Sequence, residues 1–193
     1  MASRSLHFGR RNLLCALTAG TVAFPLLAQK EMPVVEVPPE VAQALPQSQA
    51  LGAGRLRYLL WDVFDATLWV VQNFRGAQYF DHAFALELRY LRKFSGASLV
   101  ESSVQEMRRV GSLDPSKEAA WTATMQTAFA DVQAGDRITG VHRPGVGAQF
   151  FFNGRLRGTV NDPTFARAFF GIWLGAGTSE PRLRSALLAE SAP

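Results

Sequence analysis

The stretch Ala148-Gln-Phe-Phe-Phe-Asn153-Gly154-Arg-Leu-Arg-Gly-Thr-Val160-Asn-Asp162-Pro163-Thr-Phe-Ala-Arg-Ala-Phe-Phe-Gly-Ile-Trp-Leu174 carries three structural signals in 27 residues. Ala148 to Phe152 and Arg155 to Val160 are rich in aromatic and β-branched residues and are separated by Asn153-Gly154. Both residues of that pair tolerate positive φ, which a two-residue hairpin turn requires. The two runs are therefore read as antiparallel strands. Asp162 can then cap a helix whose first residue is Pro163, and Phe165, Phe169, Ile172 and Trp173 recur at helical spacing to give it one apolar face. A hairpin followed at once by an amphipathic helix predicts an antiparallel sheet with helices laid over it.

The same pattern extends outward from this stretch. Upstream, Arg137 to Arg143 reads as a strand and Asp131 to Asp136 as the turn before it. Asp114-Pro115 is taken as the start of a helix with Trp121, Met125, Ala128, Phe129 and Val132 on one side. Before it, Ser98 and Glu101 have capping-box spacing ahead of Val100, Val104, Met107 and Val110. Phe84, Leu86, Leu88 and Tyr90 alternate with Ala85, Glu87 and Arg89, and Arg55 to Asp62 and Val63 to Gln72 read as two further strands. Downstream, Ser179 and Pro181 open a last helix through Leu183, Leu187 and Leu188. Strands, two helices, strands and two helices describe a single α+β domain, an antiparallel β-sheet with helices packed on one face.

Three segments divide the 193 residues. Residues 1–28 have a basic start ending in Arg10-Arg11, an uncharged apolar run from Leu13 to Leu27 and a small residue at Ala28, the pattern of an export signal peptide. The paired arginines fit a twin-arginine signal and equally a general secretory one. The apolar run is short for a membrane anchor and contains Gly20 and Pro25, so no stable membrane span is expected after its removal. Residues 29–50, with Pro33, Pro38, Pro39 and Pro46, are read as an extended arm, and residues 51–193 as the domain. The expected location is periplasmic or otherwise exported.

Composition excludes several functions. The hydrophobic share of 48% supports a buried core and argues against disorder. The net charge of +4 comes mostly from Arg4, Arg10 and Arg11; without them 17 basic residues face 16 acidic ones, and no nucleic-acid partner is expected. Cys15, the single cysteine, falls in the signal, which removes disulfides and thiolate chemistry from the exported chain. His82 and His142 lack partners at ligand spacing, so neither a metal nor a cofactor is expected. Phosphate loops, dinucleotide fingerprints and nucleophile elbows are absent. Arg155 and Arg157 share one strand face and suit a solvated surface. Phe150 to Phe152 with Phe169, Phe170 and Trp173 suit either a core or the wall of an apolar pocket. Arg55 and Arg57 share the face opposite Leu56 and Tyr58, and an inward orientation would require a buried anion.

Taken jointly, Tyr58 to Trp69, Gly135-Asp136-Arg137, Phe150 to Gly154, Asp162 to Leu174 and Pro181 to Arg184 resemble the bacterial exported chalcone isomerase-like proteins over about residues 50 to 189. The resemblance implies an open-faced sandwich with a ligand cleft between sheet and helices. Chalcone isomerases hold a phenolate with an arginine just after a Gly-rich strand start; the matching position here is Leu56, flanked by Arg55 and Arg57. They also place a threonine and a methionine where Ile172 and Trp173 stand, so a hydroxyl partner is missing. Non-catalytic relatives bind fatty acids through an arginine and a tyrosine, roles that Arg55 or Arg57 and Tyr58 or Tyr90 would take. The leading expectation is therefore a cofactor-free, non-catalytic binder of a small amphiphilic or aromatic molecule, at a site including Arg55, Arg57, Tyr58, Tyr90, Ile172 and Trp173. The alternatives are an isomerase or intramolecular lyase in which an arginine stabilises an oxyanion, and a structural or partner-binding envelope protein whose cleft is filled by its own side chains.

Overall fold

The computed structural model describes residues 36–110 and 113–190. The export segment at residues 1–28 lies outside the described residues. Six strands form one antiparallel sheet in chain order: β1 (Gln49–Tyr58), β2 (Trp61–Val70), β3 (Phe84–Tyr90), β4 (Arg137–Arg143), β5 (Gly147–Phe152) and β6 (Arg155–Val160). A 3-10 segment, Gly76–Asp81, joins β2 to β3. Helices α2 (Gly96–Arg109) and α3 (Glu118–Ala128) separate β3 from β4, and α4 (Pro163–Leu174) and α5 (Pro181–Leu187) follow the sheet.

Alternation decides which residues meet these helices. Phe64, Ala66, Leu68 and Val70 of β2, Phe84, Leu86, Leu88 and Tyr90 of β3, and Ile138 and Phe150 of β4 and β5 share a core with Val100, Val104 and Met107 of α2, Trp121 and Met125 of α3, and Phe165, Phe169, Ile172 and Trp173 of α4. The Asn153-Gly154 turn has φ of +47° and +83°, the left-handed pair that the hairpin demands. Asp162 caps α4 by accepting from the amides of Thr164 and Phe165, and Pro163 stands in the first turn. Burial works to raise the Asp162 pKa, but hydrogen bonds from Thr164, Lys117 and Trp121 outweigh it and hold the carboxyl far below its ordinary value.

Several elements differ from the sequence reading. The supposed extended arm holds a helix, α1 (Pro39–Ala44), and also supplies the first residues of β1. Pro39 sits in the first turn, where the missing amide costs nothing. The helix lies on the opposite side of the sheet from α2 to α5, where Val41 and Leu45 pack on Trp69, Ala85 and Val141. Buried Glu40 ties it down by accepting from Arg137 Nε at 3.0 Å, Arg137 Nη2 at 3.1 Å and the Thr139 hydroxyl at 2.9 Å. Glu87, beside this cluster, accepts from Trp69 Nε1 at 2.9 Å.

The cap of α2 is Ser95, whose side chain accepts from the Ser98 amide, three residues before the expected position. Asp114 instead closes a local turn on Ser116 at 2.9 Å, and α3 starts at Glu118. Strand β1 begins at Gln49, not Arg55, because Gln49 and Ala50 already pair with Val70 and Trp69 of β2, and Gly52 lets α5 lie against the strand: a Cβ there would stand 2.1 Å from the Ala186 carbonyl oxygen. The first hairpin turns at Leu59-Leu60 and not at the Asp62/Val63 boundary. Apolar alternation cannot mark a turn made of leucines.

Candidate functional site: the end of the first hairpin

Arg55 sits opposite Asp65 across the β1–β2 ladder, and a register shift between Leu56 and Arg57 brings Arg57 opposite Asp62. Arg55 is fully engaged. Its Nε and Nη2 donate to the two Asp65 oxygens at 2.6 and 2.9 Å, and its Nη1 donates to Asp62 Oδ2 at 2.7 Å. These hydrogen bonds raise the Arg55 pKa, with Asp65 the larger cause, and lower that of Asp62, with Arg57 first. Among the described residues Arg57 donates only its Nε, to Asp62 Oδ1 at 2.7 Å, which leaves both terminal nitrogens without an acceptor there. Both side chains are open to solvent, 41% for Arg55 and 68% for Arg57. The inward orientation that would have demanded a buried anion is thus not adopted.

Arg92, which the sequence reading did not single out, completes this corner. The amide of Leu91 donates to the Val63 carbonyl and sets the chain after β3 beside the start of β2. The Arg92 guanidinium then lies 4.2 Å from the centroid of the Trp61 ring and, among the described residues, makes no hydrogen bond or ion pair. An open groove of ≈ 760 Å³ is lined by Arg55, Arg57, Leu59, Leu60, Trp61, Asp62, Leu91 and Arg92. Two guanidiniums with unused donors beside leucines and an indole suit a ligand with an anionic head and an apolar body.

The hairpin tip is unusual in its own right. Leu59 and Leu60 are 81% and 96% exposed, flanked by Tyr58 and Trp61, each more than half exposed. Leu59 has φ +55°, a conformation that costs a side chain about 1 to 2 kcal/mol and that glycine adopts freely. The sheet's other two-residue turn, Asn153-Gly154, uses residues suited to positive φ.

The remaining expected site residues lie elsewhere. Tyr90, Ile172 and Trp173 are buried in the main core, and burial pushes the Tyr90 phenol well above its ordinary value. Tyr90 meets Phe64 and Phe94 edge to face. Trp173 packs on Phe169, which in turn contacts Phe129, Phe150, Phe165 and Phe170 at centroid distances of 4.9 to 6.0 Å. Rings of the sheet and α4 thus occupy the layer where the expected cleft would run. The structure brings Arg55, Arg57 and Tyr58 together at the hairpin end and leaves Tyr90, Ile172 and Trp173 in the interior. Only adjacency of β3's end to β2's start joins Arg92 to this group, and local spacing has no signal for that contact.

His142, for which the sequence reading expected no ligand role, lies in the interior. Its ring is fully buried among Phe80, Phe84 and Phe170, with Nδ1 2.9 Å from the His82 carbonyl oxygen and Nε2 without a hydrogen-bond partner among the described residues. Burial lowers its pKa, so the neutral imidazole is favoured.

Comparison with known proteins agrees with this architecture. Among solved structures, a fatty-acid binding protein of Arabidopsis thaliana matches with a TM-score of 0.58 and 14% identity, over 74% of this chain and 87% of that one. At that identity the likeness is one of fold. No curated protein matches the chain. The family described as chalcone isomerase-like matches residues 29–189, which takes in all six strands and all five helices described above, and the chain belongs to that family.

Proposed function

We propose that the protein is a non-catalytic binder of a small amphiphile with an anionic head, exported by the segment at residues 1–28, and that it takes its ligand at the end of the first hairpin. The observation that carries this reading is the convergence of the unused Arg57 and Arg92 donors on a groove walled by Leu59, Leu60, Trp61 and Leu91. Arg55 fixes Asp62 and Asp65 and so shapes the groove, while Arg57 and Arg92 meet the ligand head. The fold supports the reading, since a structural neighbour with the same architecture is a fatty-acid binding protein.

Titration with a fluorescent long-chain carboxylate such as cis-parinaric acid tests it. Saturable binding is expected, weakened by on the order of 1.5 to 3 kcal/mol in Arg57→Met or Arg92→Met, the range for a hydrogen bond to a charged group. Arg155→Met, on exposed β6, serves as the control and leaves affinity unchanged. Equal affinity in all four proteins, or no saturable binding at all, would refute the site.

A further inference from the structure

We infer that the Tyr58-Leu59-Leu60-Trp61 tip is a membrane-docking element that inserts into the surface of a bilayer containing anionic lipid. This goes beyond soluble ligand binding: it adds the exposure and strain of the tip, and shares with the proposed ligand site the unused donors of Arg57 and Arg92.

The large exposed hydrophobic residues of the described chain are Tyr58, Leu59, Leu60, Trp61, Val146 and Leu156, and four of the six are consecutive at this one turn. Isolated apolar residues on a surface need no explanation, but a contiguous group does. The fold also accepts a leucine at φ +55° to present it, although glycine or asparagine would hold the same turn with less strain. Two leucines at the apex with a tyrosine and a tryptophan just behind them match the layering of a bilayer surface. Aliphatic side chains reach the acyl region, and amphipathic rings sit at headgroup level.

Charge selects the occupant. Arg55, Arg57 and Arg92 stand behind the tip against two carboxylates, Asp62 and Asp65, and both carboxylates are already held by Arg55. Arg57 keeps its terminal donors and Arg92 its whole guanidinium for acceptors outside the protein, at the depth where lipid phosphates would lie. Stacking of Arg92 on Trp61 sets the cation beside the ring that marks the interface. An apex of aliphatic residues with cations set back from it fits a lipid surface better than a flat protein patch. Among the described residues no helix is long and apolar enough to cross a membrane, so the tip would hold the protein at the surface.

The chain carries its own probe. Of its four tryptophans, Trp69, Trp121 and Trp173 are buried and Trp61 is exposed at the tip. The test mixes the protein with vesicles of phosphatidylcholine and phosphatidylglycerol at about 7:3, with bromine on the acyl chains and no free fatty acid. Trp61 emission should be quenched, and quenching should fall at least tenfold in apparent affinity on pure phosphatidylcholine or in 0.5 M salt. Attachment through the apolar run at Leu13 to Leu27 would leave Trp61 unquenched, so the readout is local.

Leu59→Gly with Leu60→Asn removes the apex and supplies a turn pair suited to positive φ. This variant should unfold no earlier on heating than the parent, yet lose quenching. Leu60→Ser, at the nearly fully exposed apex position, gives a second variant that disturbs no packing and should weaken vesicle binding several-fold. Absence of quenching on anionic vesicles, equal quenching on neutral ones, or full quenching in both variants would overturn the proposal. Because the vesicles carry no free carboxylate ligand, failure here leaves the cis-parinaric acid result standing, and the reverse also holds.

Discussion

At the scale of single residues, Glu40 shows how one buried carboxylate decides where a segment goes. Its side chain is almost fully buried, yet it accepts three hydrogen bonds, two from Arg137 and one from Thr139. Burying a charge on this scale is tolerated only with such partners. Glu40→Ala would leave the Arg137 guanidinium, itself only 20% exposed, with Glu87 at 3.9 Å as its remaining acid. The expected cost is about 3 kcal/mol, the lower part of the range for breaking a buried pair. A urea midpoint equal to that of the parent would show that α1 is not anchored through this residue. Arg55 and Arg57 make the complementary point. They share a strand face and an aspartate, but Arg55 lies opposite Asp65 and takes both its oxygens, whereas the register shift sets Arg57 opposite Asp62, which Arg55 also engages.

At the scale of elements, α4 links the sheet to the helical layer, and its start depends on Asp162. The carboxylate caps the amides of Thr164 and Phe165, pairs with Lys117 Nζ at 3.0 Å and accepts from Trp121 Nε1 at 3.2 Å, so it joins α3 to α4. Its pKa in the folded chain lies below the ordinary 3.8. A depressed carboxyl contributes stability that is fully present above the unfolded value and is lost as pH falls through it toward the folded one. The urea midpoint should therefore drop between about pH 4 and pH 2, and part of that drop should disappear in Asp162→Asn, which keeps a capping side chain without a charge. Parallel acid profiles for the two proteins would remove Asp162 from the account. The first hairpin differs in kind from α4. Its strands are held by the ladder and the Arg55 pairs, while its turn makes no use of favourable turn chemistry.

At the scale of the whole molecule, the described residues give the sheet a helical layer on one face and one short helix on the other, and the proposed functional surface lies at the end of the β1–β2 hairpin, apart from the main core. Aromatic packing in the main core suits a rigid support, with binding placed at an edge that can change without disturbing the core. The proposed export concerns residues outside the described ones. Replacing Arg10 and Arg11 by lysine keeps the charge of the n-region but removes the paired guanidiniums, so a twin-arginine route should be blocked and a general secretory route should continue. Cell fractionation of the double variant distinguishes them: accumulation in the cytoplasm indicates the first route, and an undiminished exported fraction the second.

Period-2 and period-3.6 apolar spacing, with Asn153-Gly154 and Asp162-Pro163 as punctuation, was enough for the α+β class, the order from β2 to α5 and the side of the sheet that faces the helices. These features are local, and each follows from the backbone geometry of a few neighbouring residues. Local patterns did not reveal α1, whose six residues are too few to show a period and whose prolines suggest an extended chain; contacts with Trp69, Val141 and Arg137 stabilise it. The site was legible in part. Two arginines on one strand face were visible from spacing, whereas the burial of Tyr90, Ile172 and Trp173 and the arrival of Arg92 over Trp61 depend on which elements become neighbours. The turn at Leu59-Leu60 was hidden for the same reason. Two leucines resemble core until the ladder between Tyr58 and Trp61 closes and leaves them in water. Sequence by itself determined the pattern of apolar faces, because a side chain's direction along a strand or helix is set by the backbone period. Tertiary structure alone decided which charged and apolar groups remain unpartnered, because exposure and pairing are properties of neighbours that lie far apart in the chain.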